Sequence, residues 1–233
     1  TRFNIDLIDQ IDKWGEKLIA VLNKKLEDVF PNVFPLPKYE RDYLSKHLRK
    51  CPELIDEFDK ENTTTYLFCR QVTCPHCGGE APLLNTCWLS KGNEKWGVRI
   101  ISDRSREYGK VRFETYRVGR NNRGPNGEDP NFATVNKGVG LCIHCRQSIS
   151  AAEIKAQARG ESPHGRWKDR LYAVVAVRYQ PKLDKNGKPR RYKSGERAGE
   201  IMTEKVTFFR PPNEQDLAAL EKAEEQLKQK WDE

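Results

Sequence analysis

The chain has 233 residues, 36% hydrophobic and 33% charged, enough for one domain with a real core or two small ones. No run approaches the roughly 18 apolar residues of a membrane span and no signal peptide opens the chain, so its seven cysteines fit a reducing, cytoplasmic setting and metal binding better than disulfides. The net charge of +8 is uneven: residues 88–210 carry 27 Lys/Arg against 13 Asp/Glu, which fits a polyanion partner such as nucleic acid as well as it fits a solubilising surface.

In chain order, Ile5, Ile8, Ile11, Trp14, Leu18, Val21, Leu22, Leu26 and Val29 recur at spacings of three and four. They predict an amphipathic helix over 4–30, with Asn4 as N-cap and Pro31 and Pro35 as stops. Such a stripe is core, or a face for a partner helix. The chain starts at Thr1 with this pattern beginning almost at once, which reads as a piece of a longer polypeptide. Residues 38–62 read as one or two short helices. After Thr63-Thr64-Thr65 the pattern turns to strands: Tyr66–Val72, then Trp96–Ser102 and Lys110–Val118 as a hairpin. In the second of these, Val111, Phe113 and Thr115 face one way and Arg112, Glu114 and Tyr116 the other.

Residues 119–131 are rich in Gly, Asn, Pro and Arg and predict a long, mobile basic loop. Ser150–Arg159 reads as a short helix with a capping box from Ser150 and Glu153. Leu171–Tyr179 is a strongly apolar strand. Asn186-Gly187 marks a turn, Arg190–Tyr192 and Glu204–Phe209 are further strands, and Asn213 caps a final helix. The expected fold class is α+β: a zinc ribbon with β-hairpin insertions, flanked by N- and C-terminal helices. The segments are 1–62 (helical), 63–210 (ribbon and β) and 211–233 (C-terminal helix).

Two pairs carry the chemistry: Cys74-Pro-His-Cys77-Gly78 and Cys142-Ile-His-Cys145-Arg146. Two residues between cysteines let both thiolates face inward from one tight turn, and Gly78 supplies the permissive backbone such a turn requires. Two turns face to face make a four-thiolate tetrahedral site, so Cys74, Cys77, Cys142 and Cys145 are the expected ligands of one structural Zn2+. An iron–sulfur centre is the minor alternative. A lone CxxC would instead suggest redox chemistry. His76 and His144 lie inside the turns and are expected to point outward. Cys69 and Cys87 read as small buried hydrophobes, and Cys51 as an ordinary helix-region cysteine.

No His–carboxylate–nucleophile set and no phosphate-binding loop stands out. Asp129-Pro130-Asn131-Phe132 approaches the Asp-Pro-Pro-Tyr motif of amino-methylating enzymes but lacks the second proline. Binding chemistry is better represented. Arg104, Arg106, Lys110, Arg112, Arg117, Arg120 and Arg123 of the hairpin and loop, with Arg190 and Arg191 further on, are the candidate nucleic-acid contacts, because arginine grips phosphates and guanine edges. Lys182, Lys185, Lys188 and Lys193 add to the later group. Trp88, Trp96, Tyr108, Tyr116, Trp167 and Tyr192 interleave with these cations and could stack on bases, although core packing is the commoner use of each.

Cys74-Pro-His-Cys-Gly-Gly-Glu-Ala-Pro-Leu-Leu, Trp88-Leu-Ser-Lys91, Gly138-Val-Gly-Leu-Cys-Ile-His-Cys145 and Asp169-Arg-Leu-Tyr-Ala-Val-Val175, in that order, resemble the zinc-ribbon region of a family of adenine-specific DNA methyltransferases. These are large proteins with an N-terminal domain of the DUF1156 class, associated with phage defence. The resemblance runs from about residue 5 to 220 and implies the four cysteines as zinc ligands. The family's glycine-rich cofactor motif lies upstream of such a region and its Pro-Pro-Tyr motif downstream, so the resemblance implies no catalytic residue here. It implies S-adenosylmethionine only in a full-length enzyme. Loop 119–131 and segment 180–203 are longer than the family pattern. The function expected is DNA binding as a target-recognition insert of an N6-adenine methyltransferase, with DNA and the rest of that enzyme as partners and no membrane. The alternative is a protein-docking module for other subunits of a defence complex. A self-sufficient enzyme is the remote third.

Overall fold

The computed structural model describes residues 5–26, 33–92, 94–102 and 109–231. Asn4, Val29, Pro31, Arg104, Arg106 and Tyr108, all named above, lie outside them. Among the described residues no helix is long and apolar enough to cross a membrane. The architecture is α+β with antiparallel sheets and helices at both ends.

The chain divides into two units, one formed by residues 1–34 with 213–233 and the other by residues 35–212. In the first, α1 (Ile5–Leu26) carries the predicted stripe. Ile11, Trp14 and Leu18 of that stripe are each more than half exposed. The other helix of this unit is labelled α5 (Glu214–Trp231). Its cap is the predicted Asn213: the side-chain Oδ1 accepts from Asp216 N at 2.8 Å, and Asp216 Oδ2 accepts from Asn213 N at 2.8 Å. This reciprocal box satisfies donors that the helix start leaves free.

A short strand, β1 (Val33–Pro35), leads into the second unit. There the helices α2 (Lys38–His47) and α3 (Ile55–Phe58) are separated by a single 3₁₀ turn, Pro52–Leu54. They belong with the strands rather than with an N-terminal helical segment ending at 62. The reason is burial: Leu44 and Leu48 are fully enclosed, in a cluster with Trp96, Ala176 and Phe208.

The main sheet is built on two long strands, β2 (Lys60–Thr73) and β10 (Lys168–Pro181), paired antiparallel. On its other side β10 pairs with β11 (Thr203–Arg210), and β3 (Glu80–Leu83) pairs with the end of β2. Leu171, Ala173, Val174, Ala176 and Val177 of β10 are all buried. A strand covered on both faces reads as a continuous apolar run, which is what made 171–179 conspicuous in the sequence.

A second sheet holds β4 (Trp88–Lys91), β5 (Lys95–Ser102) and β6 (Val111–Arg117). The expected hairpin is there, in register from Trp96 opposite Arg117 to Ser102 opposite Val111. A third, small sheet holds β7 (Val135–Asn136), β8 (Val139–Leu141) and β9 (Ser148–Ile149). It is followed by α4 (Ala151–Arg159), whose N-cap Ser150 accepts from Glu153 N. Only half of the predicted capping box forms, because the Glu153 carboxylate turns to Gln157 and Ser162 instead.

Loop 119–131 departs from the expected mobile segment. It is a run of closed turns: Gly119 N donates to Arg123 O at 2.8 Å, Gly124 N to Glu128 O at 2.9 Å, and Cys87 N to Pro130 O at 3.0 Å. Glu128 organises it, accepting from Asn126 N and from Arg99 of β5.

Candidate metal centre

The first cysteine turn joins β2 to β3 and the second joins β8 to β9. Both are built alike. Cys74 N donates to Gly79 O and Gly78 N to Cys74 O, each at 2.8 Å; Cys142 N donates to Gln147 O and Arg146 N to Cys142 O, each at 3.0 Å. The residue after the second cysteine is left-handed in both turns, with φ +70° at Gly78 and +63° at Arg146. Glycine adopts that conformation freely, whereas arginine pays a steric cost of about 1–2 kcal/mol.

The two turns bring all four sulfurs within 4.8 Å of one another. Sγ of Cys74 lies 3.7 Å from Sγ of Cys145, and Sγ of Cys77 lies 3.7 Å from Sγ of Cys142. These are free thiols, far beyond the roughly 2.05 Å of a disulfide, and one ion could be held by all four. Cys74 and Cys142 are fully buried, while Cys77 and Cys145 sit at the rim. Burial pushes the Cys142 thiol up to about 12, against the pull of the Cys145 and His144 backbone N–H groups. Burial also raises Cys74, opposed by N–H groups of His76 and Cys77. For Cys145 burial is outweighed by the Gln147 N–H and the neighbouring thiols, so its pKa falls. N–H groups aimed at sulfur favour the thiolate form that a metal requires.

The surroundings hold the turns in place. Val72, Ala81 and Ile149 pack around Cys74 and Cys142, with Leu83, Ile154 and Trp167 at the margin. Gln157 of α4 has no exposed surface. Its Oε1 accepts from Thr73 N at 2.9 Å and its Nε2 donates to Thr73 O at 2.7 Å. A side-chain amide thus stands in for a strand beside the residue that precedes Cys74. The sequence offers no sign of this, because a glutamine in Ala-Ala-Glu-Ile-Lys-Ala-Gln-Ala-Arg looks like any surface residue of a short helix.

His76 is exposed as expected, its Nε2 3.2 Å from Ser148 O. His144 departs from expectation: it is buried, with its ring against the first turn. A Cβ at Gly79 would sit 2.7 Å from His144 Cδ2, so Gly79 is the space the ring occupies. Cys69 and Cys87 are the small buried hydrophobes expected, with thiols pushed by burial to about 12 and about 11.

Four of the nine candidate nucleic-acid contacts are already held in ion pairs. Arg104 and Arg106 lie outside the described residues. Arg117 is a structural residue: its Nη2 donates to the buried Glu40 at 2.7 Å, it pairs with Glu94, and its guanidinium lies over both Tyr43 and Trp96. Lys110 pairs with Glu80, Arg112 with Glu114 and Arg123 with Asp129. Arg120, Arg190 and Arg191 are exposed, and no carboxylate lies within ion-pair distance of them among the described residues. Of the aromatics, Trp96 and Tyr116 are buried. Trp88 donates to Asn131 Oδ1 at 2.9 Å, Trp167 lies under Arg70, and Tyr192 lies under Arg197.

No family model matches the chain, and neither the curated proteins nor the solved structures contain a match. The resemblance to the methyltransferase family therefore stands on the four sequence motifs alone.

Proposed function

We propose that the four-cysteine centre holds one structural zinc ion, and that the chain is the DNA-binding, target-recognition insert of an N6-adenine-specific DNA methyltransferase. The donor set supports zinc. A regular tetrahedron with metal–sulfur bonds of about 2.3 Å has edges of about 3.8 Å, close to the 3.7 Å sulfur separations. Four thiolates from Cys74, Cys77, Cys142 and Cys145 would leave no position for a water nucleophile, so the ion's role is to hold the two turns together.

The observation that carries DNA binding is exposed positive charge of the second unit that no ion pair neutralises among the described residues. Arg120, Lys188, Arg190, Arg191 and Lys193 are exposed, and among the described residues none has a carboxylate within ion-pair distance. In the parent enzyme the target adenine would be flipped from the duplex for methylation, and this region would hold the flanking DNA by phosphate and groove contacts. S-adenosylmethionine would bind elsewhere in that enzyme. A salt series on duplex DNA tests the reading: log affinity falls linearly and steeply with log salt if several cations contact phosphates. No measurable binding at low salt refutes it.

One observation favours the second reading, a docking module. The α1 stripe leaves Ile11, Trp14 and Leu18 each about 60–70% exposed, a face suited to a partner of the same enzyme or defence complex. Replacing Ile11 and Leu18 by aspartate separates the readings. A DNA reader keeps its duplex affinity, whereas a docking module loses its complex.

A further inference from the structure

The cations of the hairpin and loop mostly have carboxylates of their own, whereas at the far end of α2 the nearest acid of the helix, Asp42, shares a neighbouring hollow with Lys46 and Arg49 but pairs with neither. Lys46, Arg49 and Lys50 project there, beside the turn 184–188 that brings Lys185. Together with His47 they line an open cleft of about 330 Å³. Among the described residues, none of these four Lys and Arg side chains has a carboxylate within ion-pair distance. The one acid in the cleft wall, Asp184, is turned to its own backbone and accepts from Asn186 N at 2.8 Å and Lys188 N at 2.9 Å.

The cleft is built rather than incidental. His47 Nε2 bonds Pro181 O at 2.8 Å, and Lys50 Nζ donates to Asn186 O at 2.8 Å. The Lys50 stem crosses Gly187, where φ is +79° and a Cβ would come within 2.8 Å of Lys50 Cδ. The left-handed backbone of the turn is what calls for glycine at that position, since the flexible Lys50 stem can shift. Beyond the cleft, backbone bonds from Lys182 N to Met202 O at 2.7 Å and from Arg190 N to Lys182 O at 2.8 Å hold the basic arm that carries Arg190, Arg191 and Lys193.

A helix C-terminus attracts cations, which accounts for Lys46 and His47 in the last turn of α2. It does not account for Lys185, which arrives from a different segment and adds like charge to the same space. Like charges gathered on a fastened frame are eased by an anion. Lysine and arginine suit phosphate oxygens in particular.

We propose that this cleft, continued along the arm, binds successive phosphates of a DNA duplex. The proposal rests on the DNA-binding reading and moves its main contact from the hairpin to the junction of α2 and the arm. The test uses the full chain with metal bound and a duplex of random sequence. Wild type is compared with Lys46→Gln/Arg49→Gln/Lys50→Gln/Lys185→Gln and with the hairpin control Arg112→Gln/Arg123→Gln over a salt series. Each lost phosphate contact reduces the slope of log affinity against log salt by about 0.9, so the quadruple variant should be shallower by about 3–4. The control should keep the wild-type slope. Metal content and melting temperature check the fold; if the quadruple variant is impaired, Lys46→Gln/Arg49→Gln, which removes no hydrogen bond of the fold, should still lower the slope by about 2.

A wild type that binds while the cleft variants keep its slope overturns the cleft and leaves the DNA-binding reading standing. A wild type that does not bind overturns both. Binding to phosphatidylserine–phosphatidylcholine vesicles that the cleft variants lose, with duplex affinity unchanged, would assign the same charges to a lipid headgroup and overturn the DNA assignment.

Discussion

Replacing Gln157 with leucine keeps roughly the volume of the side chain and removes its amide. In the folded chain that amide satisfies both backbone groups of Thr73, at 2.9 and 2.7 Å, and also donates to Glu153 at 2.7 Å. Leucine strips one acceptor and one donor from the backbone just ahead of Cys74. A buried polar group left unpaired costs about 1–3 kcal/mol. Two such groups put the expected loss at about 2–6 kcal/mol by the same figure, nearer the lower end because Thr73 is only partly buried and water can reach it. For a unit of this size that is a fall in melting temperature on the order of 4–24 °C.

Since Thr73 positions the first cysteine turn, metal affinity should fall as well, read by competition with a chromophoric chelator. The Gln157→Glu variant sharpens the test. It keeps an acceptor for Thr73 N but loses the donor to Thr73 O and sets a second carboxylate beside Glu153, so it should also be destabilised and should recover partly as acid protonates the pair. A leucine variant within about 0.5 kcal/mol of wild type, the usual range for surface changes, with unchanged metal affinity would refute the idea that Gln157 holds the turn.

The pure protein should contain about one zinc per chain, as a four-cysteine structural site requires, and chelation or Cys142→Ser should abolish the ordered packing around Val72 and Ile149. A wild-type chain whose near-ultraviolet circular dichroism and melting temperature are indifferent to chelation would overturn this. Glu40 has no exposed surface and accepts from Arg178 Nε at 3.0 Å and Arg117 Nη2 at 2.7 Å. Glu40→Ala should cost about 3–5 kcal/mol in urea denaturation by leaving the buried Arg178 guanidinium without its carboxylate; a loss below about 1 kcal/mol, the range of an exposed pair, would show that water replaces the carboxylate. Burial would raise the Glu128 pKa, but hydrogen bonds from Asn126 and the charge of Arg99 outweigh it and hold the carboxyl below its usual value. Its contribution to stability is therefore fully present above the unfolded value of about 4.3 and is lost as pH falls through the lower folded value. Glu128→Gln should flatten the acid limb of the stability curve in that window, and an unchanged limb would refute the assignment.

What could be read from the sequence was local. The CxxC spacing fixes a tight turn by itself, so the four cysteines were identifiable without knowing how 64 intervening residues bring them together. Alternation fixed the faces of β6, and Asn213 announced the start of α5. The misread features were those in which two distant residues decide each other's role. Glu40 and Arg117 look like surface charges, and only α2 lying against β6 makes them a pair, with the carboxylate fully enclosed. The glycines and asparagines of 119–131 signal turns but not that the turns close on Glu128. His144 looks free to point outward until Gly79 is seen to leave room for its ring.

The same dependence on distant partners links the metal centre to the hairpin. Glu80, at the start of β3 and two residues past Gly78, donates its N–H to Gly109 O at 2.7 Å and accepts from Val111 N at 2.9 Å. Gly109 and Val111 are the return leg of the hairpin. From the other turn, Ile143 packs with Val98, Val111 and Phe113 of the hairpin strands. Each cysteine turn therefore grips the base of β5 and β6 by its own contacts, one polar and one apolar. An ion joining the turns would fix both grips at once. Zinc in this chain would then do more than close a loop: by holding Glu80 and Ile143 in register it would set the orientation of the whole second sheet, including Arg117, whose bond to Glu40 ties that sheet to α2. Because the last turn of α2 forms one wall of the basic cleft, a bound ion would be linked to the proposed phosphate contacts through Glu80, the hairpin, Arg117 and Glu40, and its removal by a chelator should lower duplex affinity as well as stability.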